Sequence, residues 1–237
     1  MFNNTTNDNG TCIVFEVESS LYHFIAYGIL LNTIGLFGVI GNLISMIILS
    51  RPQMRSSINY LLIGLARCDT LLILTSVLLF GLPAFYEYDQ RYLKTYYTQI
   101  FPHISRVVFP LGLTMQTVSI YLTLTVTVER YVAVCHPLQA RSLCTYGRAR
   151  LYSFLILFFS CLYNIPRWFE TDVELVCNST TEYQIIASEI RNNDMYISVY
   201  VHWLYLIFIY FLPFSSLAIL NTAIYKQVRI RGPLSPP

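Results

Sequence analysis

The sequence predicts an all-α fold, a polytopic bundle of membrane-spanning helices. Three observations predict it. Only 12% of the 237 residues are charged and 55% are hydrophobic, where a soluble domain carries about 25% charged residues. The charges bracket five long apolar intervals, and crossing a bilayer takes about 20 apolar residues at ~1.5 Å rise each. Basic residues crowd the loops on one side of those intervals. In lipid only helices and closed barrels satisfy every backbone group. The alternation of apolar and polar residues that marks a barrel strand is absent from these runs.

Residues 1–21 form a polar, slightly acidic tail. The apolar run that follows is too long for the core of a signal peptide and lacks a small-residue cleavage site, so it reads as a signal-anchor. No charge falls between Glu18 and Arg51, which sets span one at 22–49. Span two, 59–82, lies between Arg55 and Glu87, is interrupted by Arg67 and Asp69, and ends at Pro83. Span three, 102–134, starts near Pro102 and contains the charge-free stretch between Arg106 and Glu129. Span four, 150–166, is shorter and closes at Pro166. Span five, 198–225, carries Pro213. Residues 22–228 thus make one domain, and 229–237 a short end.

Charge orients the bundle. The loops after spans one, three and five hold Arg51, Arg55, Arg130, Arg141, Arg148, Arg150, Lys226, Arg229 and Arg231 against a single acid, Glu129. The opposite side holds five basic residues against eleven acids, among them Glu87, Asp89, Glu170, Asp172 and Glu174. By the positive-inside rule the first side is cytoplasmic and the N-terminus is extracellular. The sequons agree: Asn3, Asn4, Asn9 and Asn178 all fall on the side assigned to the exterior, where glycosylation occurs. The expected location is the plasma membrane.

Ionisable groups inside a span are costly and point to function. Asp69 lies about 16 Å deep from the cytoplasmic side, Ser119 at about the same depth on span three, and Asn42 at about 12 Å on span one. Two readings of this layer stay open: a carboxylate that holds a cation such as sodium, or hydrogen bonding between helices. Gln116, Ser119, Thr123, Thr127 and Arg130 follow one another at spacings of 3, 4, 4 and 3, so they share a helical face. Thr123 and Thr127 suit helix packing, whereas Gln116, larger and further out, suits a ligand cavity. Arg67 falls on a different face from Asp69 and has no assigned role. The six cysteines make no CxxC pair, and His23, His103, His136 and His202 are scattered. With no metal spacing and no nucleophile–base constellation, an enzyme is not expected, and neither is a nucleic-acid partner.

Four motifs occur in order on successive spans: Gly41-Asn42, Leu65-Ala66-Arg67-Cys68-Asp69, Glu129-Arg130-Tyr131 followed by Val132-Ala133-Val134-Cys135-His136-Pro137-Leu138, and Pro213. Together they resemble the rhodopsin-like (class A) G-protein-coupled receptors over about residues 22–228. The stretch from Thr127 to Arg150, with Asn164-Ile165-Pro166-Arg167, is most similar to invertebrate FMRFamide-type neuropeptide receptors. Monoamine receptors carry an aspartate at the position of Gly112, so an amine ligand is not expected.

The resemblance implies several roles. Glu129, Arg130 and Tyr131 would form the G-protein coupling motif, with Arg130 paired to Glu129 at rest. Asn42, Asp69 and Ser119 would form the intramembrane polar site, with sodium as an allosteric ligand and no other cofactor. Gly112, Gln116, Glu170 and Asp172 are the candidates for the ligand pocket, and the acidic outer side would attract a cationic amidated peptide. The implied partners are that peptide, a heterotrimeric G protein and the lipid bilayer.

The sequence also departs from the family. Ser105 stands where a cysteine usually bonds to the second outer loop, which leaves Cys177 without its usual partner, and Cys12–Cys177 is the expected bond. No tryptophan marks span four, where Ile156 or Leu157 stands, and Asn221 replaces a common tyrosine in span five. The resemblance implies seven helices, whereas five spans are present. The expectation is a receptor truncated after its fifth helix, which does not activate a G protein by itself. The alternatives are a non-signalling fragment or isoform that associates with full-length receptor, and, from another class, a fragment of a membrane transporter.

Overall fold

The computed structural model describes residues 21–176 and 181–231. Asn3, Asn4, Asn9, Cys12, Cys177 and Asn178 lie outside the described residues, so the sequons and the Cys12–Cys177 bond fall there too. Among the described residues five helices are long and apolar enough to cross a membrane: α1 (Leu21–Leu49), α2 (Ser57–Tyr88), α3 (Tyr96–Cys135), α4 (Tyr146–Phe169) and α5 (Tyr196–Ile230). A short helix, Pro137–Leu143, lies between α3 and α4. The all-α bundle of membrane helices read from the sequence is the architecture found.

The helices run past the prolines that were expected to bound them. The α2 backbone continues through Pro83 to Tyr88. A wide turn over Val77–Gly81 comes first, and the Leu82 N–H donates five residues back to the Val77 carbonyl at 2.8 Å. Widening the turn accommodates a ring that would otherwise clash with the carbonyl one turn back. Similar turns precede Pro102 (Tyr96–Ile100) and Pro213 (Leu206–Phe211). Proline in these spans therefore marks a change of winding rather than an end.

One antiparallel hairpin interrupts the helices. β1 (Thr171–Leu175) pairs with β2 (Tyr183–Ala187), with Thr171 opposite Ala187 and Leu175 opposite Tyr183. The sequence reading did not anticipate it, although Asp172-Val173-Glu174-Leu175 alternates polar and apolar residues as a strand does.

The contacts divide the chain into two compact units. Unit 1 comprises residues 21–40, 71–113 and 164–197 among those described. In it α1 meets α2 through small residues: a Cβ on Gly35 would lie 3.1 Å from Ile73 Cγ2, and one on Gly38 only 2.8 Å from Ile73 Cδ1. Lipid supplies no hydrophobic drive between helices, so the van der Waals fit of the Ile73 side chain against these glycines carries the packing. Phe24 stacks on Tyr88 at 4.2 Å, and Tyr86 on Tyr97 at 4.3 Å.

Unit 2 comprises residues 41–70, 114–163 and 198–231. Its core is Leu61, Val118, Leu122, Val126 and Ala149. Val118, Leu122 and Val126 recur every four residues, so α3 turns one ridge toward Leu61 of α2 and Ala149 of α4. Gly64 faces Leu122, whose Cδ1 would stand in ordinary contact, 3.6 Å, from a Cβ there.

Leu61 is 0% exposed, whereas Ile34 is 61% exposed. Leu61→Ala is expected to destabilise the purified bundle by ~2 kcal/mol or more, the usual cost of a buried cavity. Ile34→Ala should change the thermal midpoint little. Equal shifts for the two variants in a thermal-melt assay would contradict this core.

Candidate functional site

Span interiors have no water to pair with, so a polar side chain there is costly unless it finds a protein partner. Asp69 on α2 and Ser119 on α3 find each other. The Ser119 hydroxyl donates to Asp69 Oδ1 at 2.6 Å, the short distance expected of a charge-assisted bond. Asn42 on α1 is half-buried, and no hydrogen bond of its side chain is recorded among the described residues. Two members of the layer are thus joined and the third is not. A carboxylate and a hydroxyl are hard oxygen donors of the kind alkali and alkaline-earth ions take. Among the described residues no three His, Cys, Asp or Glu side chains gather as a metal cluster.

The polar stripe of α3 divides on inspection. Thr123 donates to the Ser119 carbonyl and Thr127 to the Thr123 carbonyl, at 2.9 Å each. Both hydroxyls bond back to their own helix, which satisfies them without a polar partner on a neighbouring helix. Gln116 does reach across: its Oε1 accepts from the Tyr205 hydroxyl of α5 at 3.4 Å. Tyr121 donates to the Phe208 carbonyl of α5 at 3.0 Å.

At the end of α3, Glu129 is 4% exposed. Its Oε2 accepts from the Ser57 hydroxyl on α2 at 2.9 Å, and its Oε1 has no partner among the described residues. Arg130 is exposed and makes no ion pair among the described residues. The expected Glu129–Arg130 pair is therefore not the contact made. Adjacent residues on a helix point about 100° apart, so burying Glu129 against α2 turns Arg130 outward. Tyr131 is half-buried and meets His136 edge-on at 5.7 Å.

The pocket candidates in unit 1 are corrected most. Glu170 is 0% exposed. It accepts from Arg167 Nη1 at 2.8 Å, Arg191 Nη1 at 2.8 Å and the Tyr196 hydroxyl at 2.7 Å. Its charge is already met by two arginines, so it is a structural anchor and not a ligand contact. The anchor sits at the foot of the hairpin, where the Ser188 N–H donates to the Glu170 carbonyl at 3.0 Å. Asp172 pairs with Arg106 at 3.3 Å across half-exposed surface. Gly112 is buried, and a Cβ there would stand 3.1 Å from Thr75 Oγ1, so it is a packing position between α2 and α3.

Ser105, standing where a bridging cysteine was looked for, is buried and donates to the Pro102 carbonyl at 2.9 Å. The hairpin is tied to this end of α3 by Arg106–Asp172 and by His103 meeting the Tyr183 ring edge-on at 4.6 Å. Lys94 pairs with Glu182 at 3.3 Å. Glu87 pairs with His23 at 3.0 Å. Glu174, Glu189 and Asp194 are exposed and in no ion pair among the described residues. Sequence reasoning missed Ser57, Arg191 and Tyr196. The only available signal was that a buried acid needs donors, which says nothing of where along the chain they lie.

Comparison with known proteins gives a consistent set of likenesses. A family model described as 7 transmembrane receptor (rhodopsin family) matches residues 41–233. An FMRFamide receptor of Drosophila melanogaster is 52% identical over 223 residues, which cover 90% of this chain and 39% of that protein. An FMRFamide peptide receptor of Caenorhabditis elegans is 35% identical over 188 residues, 78% of this chain and 42% of that one. A human thyrotropin-releasing hormone receptor is 28% identical over 143 residues, 58% and 33%. The chain thus spans well under half the length of these relatives.

Removing Glu170 leaves two arginines facing each other in a buried site. Breaking such a network costs roughly 3–5 kcal/mol, so Glu170→Ala should abolish surface expression of an epitope-tagged chain. Glu174→Ala, at an exposed position of β1, should leave expression unchanged. Normal surface levels for Glu170→Ala would return Glu170 to the list of ligand contacts.

Proposed function

Because the chain belongs to the rhodopsin family of 7 transmembrane receptors, we propose that it is the ligand-binding and G-protein-coupling part of a receptor for an FMRFamide-type neuropeptide. The observation that carries this reading is the 52% identity, over 90% of the chain, with a Drosophila melanogaster FMRFamide receptor. Gly112 supports it, since a buried glycine supplies no counter-ion for an amine. The receptor sits in the plasma membrane, N-terminus outside, as the excess of basic residues on the opposite loops favours.

The extracellular side carries the acidic charge, and the local pairing decides which acids act on a ligand. Glu170, Asp172, Glu87 and Glu182 are engaged. Glu174, Glu189 and Asp194 are exposed and raise the local concentration of a cationic amidated peptide. Gln116, bonded to Tyr205 of α5, is the pocket residue placed to report occupancy to a second helix. Asp69 and Ser119 would hold a sodium ion by two oxygens, and the ion would neutralise the carboxylate inside the span.

On the cytoplasmic side Glu129 fixes α3 to α2 through Ser57, which leaves Arg130 exposed for the G protein. Agonist shifts a population between two states, by no more than its difference in affinity for them.

The test uses the full-length receptor that contains this segment. Cells expressing it should show guanine-nucleotide exchange on adding a peptide ending in Arg-Phe-amide. Arg130→Ala should abolish exchange while peptide binding persists. Activation by biogenic amines with no response to amidated peptides would overturn the ligand reading, and loss of binding and exchange together in Arg130→Ala would overturn the role of Arg130.

A further inference from the structure

Arg67 is a cation inside the membrane-spanning helix α2. It lies ten residues into α2 from Ser57, about 15 Å along the helix. It is exposed, and so are Leu71 and Leu74, four and seven residues on, which continue the same face. An arginine on an exposed apolar face of a membrane-spanning helix is costly unless its head reaches water or an anion. Side chains on a helix lean toward its N-terminus. For Arg67 this is the end of α2 next to Arg51 and Arg55.

The three arginines meet there. They line one cavity of about 480 Å³ together with Asn59, Tyr60 and Tyr146, and no acidic residue lines it. Among the described residues none of the three takes part in an ion pair. Arg55 is held with its guanidinium 4.8 Å over the Tyr146 ring, and Tyr146 meets Tyr60 edge-on at 5.1 Å. One wall of the cavity is thus ordered by aromatic contacts, and three arginines but no acidic residue are among its lining.

We propose that Arg51, Arg55 and Arg67 form a binding site for the phosphorylated headgroup of an anionic membrane lipid. Guanidinium forks match phosphate oxygens in pairs, and three of them favour a headgroup with more than one phosphate, such as that of an inositol lipid. The source is the bilayer rather than free phosphate, because Arg67 stands on a membrane-spanning helix with its side chain leaning toward the membrane edge, where headgroups lie. Basic pockets between membrane helices take such headgroups for the same reason. The proposal rests on the bundle lying in a membrane and is independent of the peptide.

The experiment reconstitutes the chain in phosphatidylcholine vesicles containing phosphatidylinositol bisphosphate and counts bound lipid by native mass spectrometry. Wild type should retain the inositol lipid in preference to phosphatidylcholine. Arg67→Gln and Arg55→Gln should each weaken retention about fivefold, the equivalent of ~1 kcal/mol per charge. Arg67→Lys should keep part of it. Arg148→Gln, on the same charged side but outside the cavity, should match wild type. Should Arg67→Gln lose its helical circular dichroism, Arg55→Gln, at the loop end, decides the question by itself. Equal weakening by Arg148→Gln would reduce the site to diffuse charge, and no weakening by either cavity variant would remove it. Soluble inositol trisphosphate that competes as strongly as the lipid would assign the site to a free anion and overturn the lipid proposal.

Discussion

A bilayer interior offers no hydrogen bond to any side chain, and the arrangement of this protein follows from that absence. A polar group that the sequence places inside a span is costly unless another part of the chain answers it. Asp69 is answered by Ser119, and Glu129 by Ser57. Both bonds run between α2 and α3, and between them lies the apolar ridge of Val118, Leu122 and Val126. The polar contacts fix which faces meet, and the apolar ridge fills the space. Thr123 and Thr127 follow the same constraint in another way, by bonding to their own helix.

Unit 1 obeys a different balance, since it includes segments that water reaches. There, charges are arranged in pairs of graded burial. Glu170 is sealed with Arg167 and Arg191, and the hairpin grows directly from it. Arg106–Asp172 and Lys94–Glu182 are more exposed and contribute little individually. Their geometry nevertheless ties the hairpin to the end of α3 where Ser105 stands. Among the described residues Glu174, Glu189 and Asp194 stay exposed and in no ion pair.

The fold was legible in the sequence because lipid demands a coarse signal. A run of apolar residues between charges is enough to place a span, and all five helices fall where those runs lie. Helix ends were less legible. Pro83 and Pro102 read as boundaries, yet a widened turn lets the helix continue through each. The candidate site was half legible. Depth alone brought Asp69 and Ser119 together, because equal depth on adjacent helices leaves few other partners. Depth could not show that Asn42 makes no side-chain hydrogen bond among the described residues, since depth says nothing of how α1 is turned about its own axis. Glu170 was misread because an acid on the outer side looks the same in sequence whether free or enclosed. Arg191 and Tyr196, the donors that enclose it, lie 21 and 26 residues away.

The claim that polar pairing inside the membrane joins α2 to α3 can be measured directly with a double-mutant cycle on Asp69 and Ser119. Thermal stability of Asp69→Asn, Ser119→Ala and the double variant would be compared with wild type in one lipid. The account predicts coupling, with the double variant less damaged than the sum of the two single ones, by about 0.6 kcal/mol or more. Strict additivity would contradict it, since two side chains that do not feel each other cannot be what sets the register of these helices.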